Sequence, residues 1–204
     1  MINLDDYFYT LIKTLTEAEI DLAELFTLAE AKNFLKISTN MTEDDNLLQG
    51  ADTKTGLIEA ARLKLQNYCN RSIIHETWTL RIDGQPSRID LFKGYISSIT
   101  SIKTYQDDGT ATTESSTDTY NTITGDGGYA ELKVGGSWTT SDRKSGQLVV
   151  VYVAGYSEDK TSVPLDLITA CKIILAEMYQ NRNSGIIIPQ SAKELADPYR
   201  TKVM

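Results

Sequence analysis

The hydrophobic period of this chain changes twice. Between Leu28 and Tyr68 apolar residues recur three and four positions apart, with Leu57, Ile58, Ala61, Leu65 and Tyr68 on one face. From Ile73 to Val153 the pattern alternates and is rich in β-branched and aromatic residues, as in Trp78, Leu80 and Ile82. After Val163-Pro164 the longer period returns through Leu167, Ile168, Cys171, Ile174, Leu175 and Met178. A period near 3.6 marks a helix with one apolar stripe, and a period of 2 marks a half-buried strand. The order helices, strands, helices therefore predicts an α+β fold, with an antiparallel β-block inserted between N- and C-terminal helices that form a helical base.

Local signals set the expected boundaries. Thr27 with Glu30 three residues on is a capping-box pattern, and Pro164 suits a first helical turn. Helices are expected over 28–37, 55–69 and 163–182, and the β-block over 71–155. Residues 1–26 read as a helical extension, because Leu4, Phe8, Leu11, Ile12 and Leu15, then Ile20, Leu22, Leu25 and Phe26, fall at helical spacing. Gly50 and Gly56 break the polar stretch 38–56. Asp108-Gly109 predicts a hairpin turn, and the Ser/Thr-rich residues 111–119 a solvated, mobile tip. The organisation expected is an extension at 1–26, a core at 27–188 and a terminal arm at 189–204.

Charge narrows the function classes. Twenty basic against 28 acidic side chains give a net charge of −8. That balance argues against phosphate-backbone binding, which depends on Lys and Arg displacing counterions. No apolar run approaches the roughly 18–20 residues of a membrane span. The acidic start of the chain lacks the order of a secretion signal, so a soluble cytoplasmic product is expected. Cys69 and Cys171 read as small buried hydrophobes in a reducing compartment.

Chemistry is hard to find. The one histidine, His75, stands beside Trp78 with no Ser or Cys motif near it. Phosphate-binding glycine loops and the nucleophile-elbow motif are missing from the sequence. Glu43-Asp44-Asp45 and Asp107-Asp108 are the tempting acidic groups, but one precedes a helix and the other sits on a turn, both ordinary structural places for Asp. The expectation is a protein without catalytic residues, cofactor or metal. The late tyrosines Tyr152, Tyr156, Tyr179 and Tyr199 suit core packing and protein contact.

Six segments taken in order resemble the head–tail connector (adaptor, or head-completion) family of tailed bacteriophages. They are residues 28–37, then 57–71, Thr77-Trp78-Thr79-Leu80, Val151-Tyr152-Val153-Ala154-Gly155-Tyr156, Met178-Tyr179-Gln180-Asn181-Arg182 after Val163-Pro164, and Ala196-Asp197-Pro198-Tyr199-Arg200. Residues 1–26 and an apparent insertion at 49–56 depart from the family pattern. The resemblance implies a virion protein of the neck, assembled in the host cytoplasm. It implies a ring, generally of twelve copies, beneath the portal protein, extending the DNA channel and offering a surface to a neck or tail-completion protein. DNA would pass through without specific binding, and no membrane is involved. It also implies a portal contact for Leu195, Pro198, Tyr199 and Arg200, against the alternative that Leu195 and Tyr199 cover the subunit's own helices. Two other classes stay open: a metal-dependent hydrolase using Asp44, Asp45, Asp107 or Asp108, and a β-module that binds protein or glycan.

Overall fold

The computed structural model describes residues 9–14, 25–50, 55–156, 160–181 and 187–201. The chain divides into two units: a sheet unit of residues 1–15 and 75–155, and a helical unit of residues 16–74 and 156–204. The backbone enters the sheet unit, leaves it, returns and leaves again. The α+β class holds, with antiparallel strands inserted between helical segments.

In the helical unit, α1 (Leu28–Leu35), α2 (Asp45–Leu48) and α3 (Leu57–Cys69) precede the sheet, and α4 (Leu165–Gln180) and α5 (Gln190–Ala196) follow it. The capping box at α1 forms as the sequence predicts: Thr27 N–H donates to Glu30 Oε2 at 2.8 Å, and Glu30 N–H donates to Thr27 Oγ1 at 3.2 Å. The helix stops two residues short of the expected end because Lys36 turns left-handed, with φ of 59°. A side chain there strains the backbone where glycine would not. Lys36→Gly is expected to raise stability by about 0.5–1 kcal/mol, read as a higher urea midpoint. Leu65, Cys69, Leu167, Cys171, Ile174 and Leu175 are fully enclosed in one apolar cluster, joined by Leu25 and Phe26 from ahead of α1. Both cysteines thus occupy the small-hydrophobe positions expected of them.

The sheet unit begins with β1 (Tyr9–Thr14) and continues through β2 (Glu76–Ile82), β3 (Arg88–Asp90), β4 (Tyr95–Tyr105), β5 (Ala111–Thr113), β6 (Tyr120–Ile123), β7 (Gly125–Asp126), β8 (Tyr129–Leu132) and β9 (Leu148–Ala154). The larger sheet runs β1-β2-β9-β4-β5 with β7 also on β4, and the smaller runs β3-β8-β6. Leu80, Ile82, Leu148, Val150, Tyr152 and Ile102 turn to one side of the larger sheet and form the core with Ile89, Ala130, Tyr120 and Trp138. Two β-bulges in β4, before Ser98 and before Ser101, absorb extra residues without losing that alternation.

Two expectations are corrected. Over residues 9–14 the predicted helix is a strand, pairing antiparallel with β2 from Tyr9↔Ile82 to Thr14↔Thr77. The six residues Tyr-Thr-Leu-Ile-Lys-Thr favour a strand, and the open edge of β2 supplies the backbone partners that helical spacing cannot reveal. Residues 1–8 and 15–24 of the expected helical extension lie outside the described residues. The second correction concerns 111–119. Ala111–Thr113 are exposed as expected, but Glu114 is buried: Thr104 Oγ1 donates to its Oε1 at 2.5 Å and Thr139 N–H at 3.0 Å. Both hydrogen bonds satisfy the buried carboxylate and fix the tip. The turn itself is as predicted, with Gly109 at φ +87°.

Candidate functional site

Residues 187–201 lie on their own helical unit. In α5, seven residues long, Ala192 and Ala196 are fully enclosed by the helical core. Their small side chains let the α5 backbone come close to the larger residues beneath. Past α5, Asp197–Tyr199 form one 3-10 turn.

Polar contacts hold the end of the segment. Tyr68, at the end of α3, donates its hydroxyl to Asp197 Oδ1 at 2.5 Å. The Arg200 guanidinium lies 5.1 Å from the Tyr68 ring centre. Tyr199 donates to Asp166 Oδ2 in the first turn of α4 at 3.2 Å, and Thr201 N–H donates to the Cys69 carbonyl at 2.8 Å. The predicted contact residues therefore divide. Leu195 and Tyr199 are half-buried against the subunit's own core, and Pro198 and Arg200 are exposed.

These contacts carry a pH dependence. The hydrogen bond to Asp197 raises the Tyr68 hydroxyl above its ordinary value, and burial raises Tyr199 and pushes the Cys69 thiol from 9.0 to about 11. Each group is neutral when protonated, so the fold favours its protonated form. The resulting stability is complete below the ordinary values near 9 and 10 and is lost as pH rises through the folded ones. Protease protection of residues 190–201 is expected to fall between about pH 9 and 11, and Tyr68→Phe is expected to remove the Tyr68 part of that change and leave the Tyr199 and Cys69 parts.

Among the candidate acidic groups, the Asp44, Asp45 and Asp108 side chains have structural work. Asp45 pairs with Lys32, and Asp44 accepts a hydrogen bond from Tyr179. Asp108 Oδ1 accepts from Thr110 N–H at 2.8 Å, which holds its carboxyl below the ordinary value, and Asp107 N–H donates to Asp142 Oδ1 at 2.8 Å. The two groups belong to different units. Among the described residues no cluster of three or more His, Cys, Asp or Glu is arranged to hold a metal ion, and no helix is long and apolar enough to cross a membrane. His75 is half-buried just before β2 and adjoins no nucleophile in sequence.

Among the described residues, sequence reasoning passed over two buried cations within helices. Lys32, 3 % exposed on α1, donates to the Met41 carbonyl at 2.7 Å besides pairing with Asp45. Arg62 on α3 reaches Glu59 with Nε at 2.7 Å and also contacts Gln66, whose Oε1 accepts from Ile73 N–H at 3.3 Å. A Lys or Arg in an amphipathic helix ordinarily reads as solvated, so spacing alone gave no signal for either.

No protein-family model matches the chain, and no curated protein matches it significantly. Solved structures do. One similar chain comes from the neck of an empty gene transfer agent particle computed with C6 symmetry, at 14% identity and TM-score 0.76, covering 96% of this chain and 97% of that one. A second, from the neck of a native gene transfer agent particle computed with C12 symmetry, is 15% identical with TM-score 0.71 and covers 96% and 97%. A third, from the virion of a native gene transfer agent particle, is 16% identical with TM-score 0.70. The likeness takes in both units and is a likeness of fold.

Proposed function

We propose that this chain is a structural protein of a phage-like virion neck, assembled as a ring that joins head to tail. The supporting observation is a fold shared over nearly the whole of both chains with a component of a gene transfer agent particle whose neck was computed with cyclic symmetry. Partial likeness would have spoken only for a domain. The ring has twelve copies on this reading, lies beneath the portal protein and extends the DNA channel. The excess of 28 acidic over 20 basic side chains suits a channel wall to which DNA does not adhere. Nothing in the role calls for a catalytic group, cofactor or metal, and the Asp44, Asp45 and Asp108 side chains serve the fold.

Portal contact falls to the exposed part of the C-terminal segment. Pro198 and Arg200 face outward, while Leu195 and Tyr199 seat the segment on the helical core so that it is presented in one position. Light scattering and electron-microscopic class averages of the purified chain, alone and mixed with the portal protein of the same particle, test the reading. A closed ring in either sample is the expected result. A monomer in both would overturn it. Pro198→Glu with Arg200→Glu is expected to abolish co-purification with the portal, while Arg200→Ala, which alone removes the contact with the Tyr68 ring, shows how much of the loss is a weaker seat for the segment. Retained co-purification of the double variant would remove these residues from the contact.

A further inference from the structure

One face of the larger sheet forms the core, and the other carries a distinctive pattern. Directly paired residues on neighbouring strands share a side of the sheet, so the register defines that outer face in rows. The first row is Arg81–Val149–Lys103, continued on β5 by Thr113. The second is Ile12–Thr79–Val151–Ser101. The third is Thr77–Val153–Ser98. Three valines run down the middle, hydroxyl residues flank them, and two cations close one end. None of these positions holds Asp or Glu, in a chain with 28 of them.

Exposure fits an uncovered face. Ile12 is 44% exposed, and Arg81, Ser98 and Thr113 are exposed. Thr77, Thr79, Ser101, Lys103, Val151 and Val153 are half-buried, and Val149 is buried, with Arg81 and Lys103 on either side of it in register. Long basic side chains can lay their stems over such a neighbour and keep their charges in water.

We propose that this face is a subunit–subunit surface whose occupant is a second copy of this chain, in a head-to-tail contact. The inference rests on the ring reading and names the surface that closes the ring. Two subunits of net charge −8 repel each other, so they can approach closely only where one of them presents no carboxylate and some positive charge. This face meets that condition. Pairing with itself about an axis along the strands would set Arg81 and Lys103 against the same cations, and a ring of this kind needs a heterologous contact, the kind that closes rings. Strand spacing and rise give it an area on the order of 500 Å², a large part of the roughly 800 Å² each partner gives to a standard interface. Duplex DNA is the poorer occupant, because two cations make a weak match for a charge every ~1.7 Å.

The test uses the complete chain. Arg81→Glu with Ser98→Glu places two carboxylates at exposed positions, and Ser137→Glu, exposed on the same unit, is the control. In parallel, a photo-crosslinking phenylalanine derivative replaces Ser98. We expect the double variant to fold with an unchanged thermal transition but to lose self-association by about a hundredfold or more in sedimentation, with the control unaffected. The crosslinker should capture a second copy. If the wild type forms rings, but the double variant forms them equally well and the crosslinker captures no second copy, the face is wrong and the ring reading stands. A wild type that remains monomeric with and without portal protein sinks both. Crosslinking to nucleic acid rather than protein overturns the proposed occupant.

Discussion

Ala196→Asp is expected to detach the C-terminal segment from the helical unit. The Ala196 methyl is fully enclosed, so a carboxylate in its place would lose its water without gaining room. Burying that group costs several kcal/mol, and the chain can avoid the cost by letting α5 come away. The observed loss is then limited to what docking contributes, about 2–4 kcal/mol by analogy with other uncovered core sites. Detachment uncovers Cys69 and its neighbours and exposes Lys193 and Arg200 to trypsin. The experiment is limited proteolysis beside a urea melt, with Glu194→Ala, at an exposed position, as the control expected to change nothing. Wild-type protease resistance in Ala196→Asp would mean that the core does not hold the segment. The docking also bears on the proposed portal contact: a segment fixed in place would meet a partner without a further ordering cost, whereas a free arm would have to be ordered on binding.

Lys32→Ala is expected to cost about 3 kcal/mol, because it removes one partner of a largely buried pair and leaves the others unmatched. Lys32 Nζ ties Asp45 and the Met41 carbonyl to α1, so it fixes the whole polar stretch between α1 and α2. Chemical denaturation gives the size. A drop below 1 kcal/mol would show that the ammonium is solvated and the clamp unimportant. Lys32→Met keeps the stem and removes the charge, and most of the loss is expected to remain.

Much of the architecture can be read from the amino acids because packing follows period. Trp78, Leu80 and Ile82 alternate, and β2 lies there; Leu167, Cys171, Ile174 and Met178 share a helical stripe, and α4 buries it. The capping box at Thr27 needed only local geometry. The failures come where a distant partner decides. Leu11, Ile12 and Leu15 fit a helical stripe as well as a strand, and only the edge of β2 resolves the choice in favour of β1 for residues 9–14. Glu114 stands in a Ser/Thr run that reads as solvent-facing, yet Thr104, ten residues earlier, draws it inside. For the C-terminal segment, the alternation of exposed and half-buried residues was visible in outline at Leu195, Pro198 and Tyr199. Its anchors were not, because Tyr68 and Asp166 lie more than thirty residues away in the chain. The fold carried by the family resemblance is supported over nearly the full length of the neck chains described above.

The backbone's repeated passage between units has a consequence for how the protein is made. Synthesis releases β1 roughly sixty residues before the strand it pairs with, a wait of several seconds at ordinary rates of translation. During that time the first part of the helical unit emerges, but its cluster still lacks α4 and α5. The sheet is then completed as β9 arrives between β2 and β4. Neither unit can close on the first half of the chain alone. A ribosome that stalls before residue 190 leaves the helical core open on the side where Ala192 and Ala196 belong. The nascent protein therefore finishes its helical unit last, and a subunit able to offer the proposed C-terminal contact is one whose translation has already passed α5.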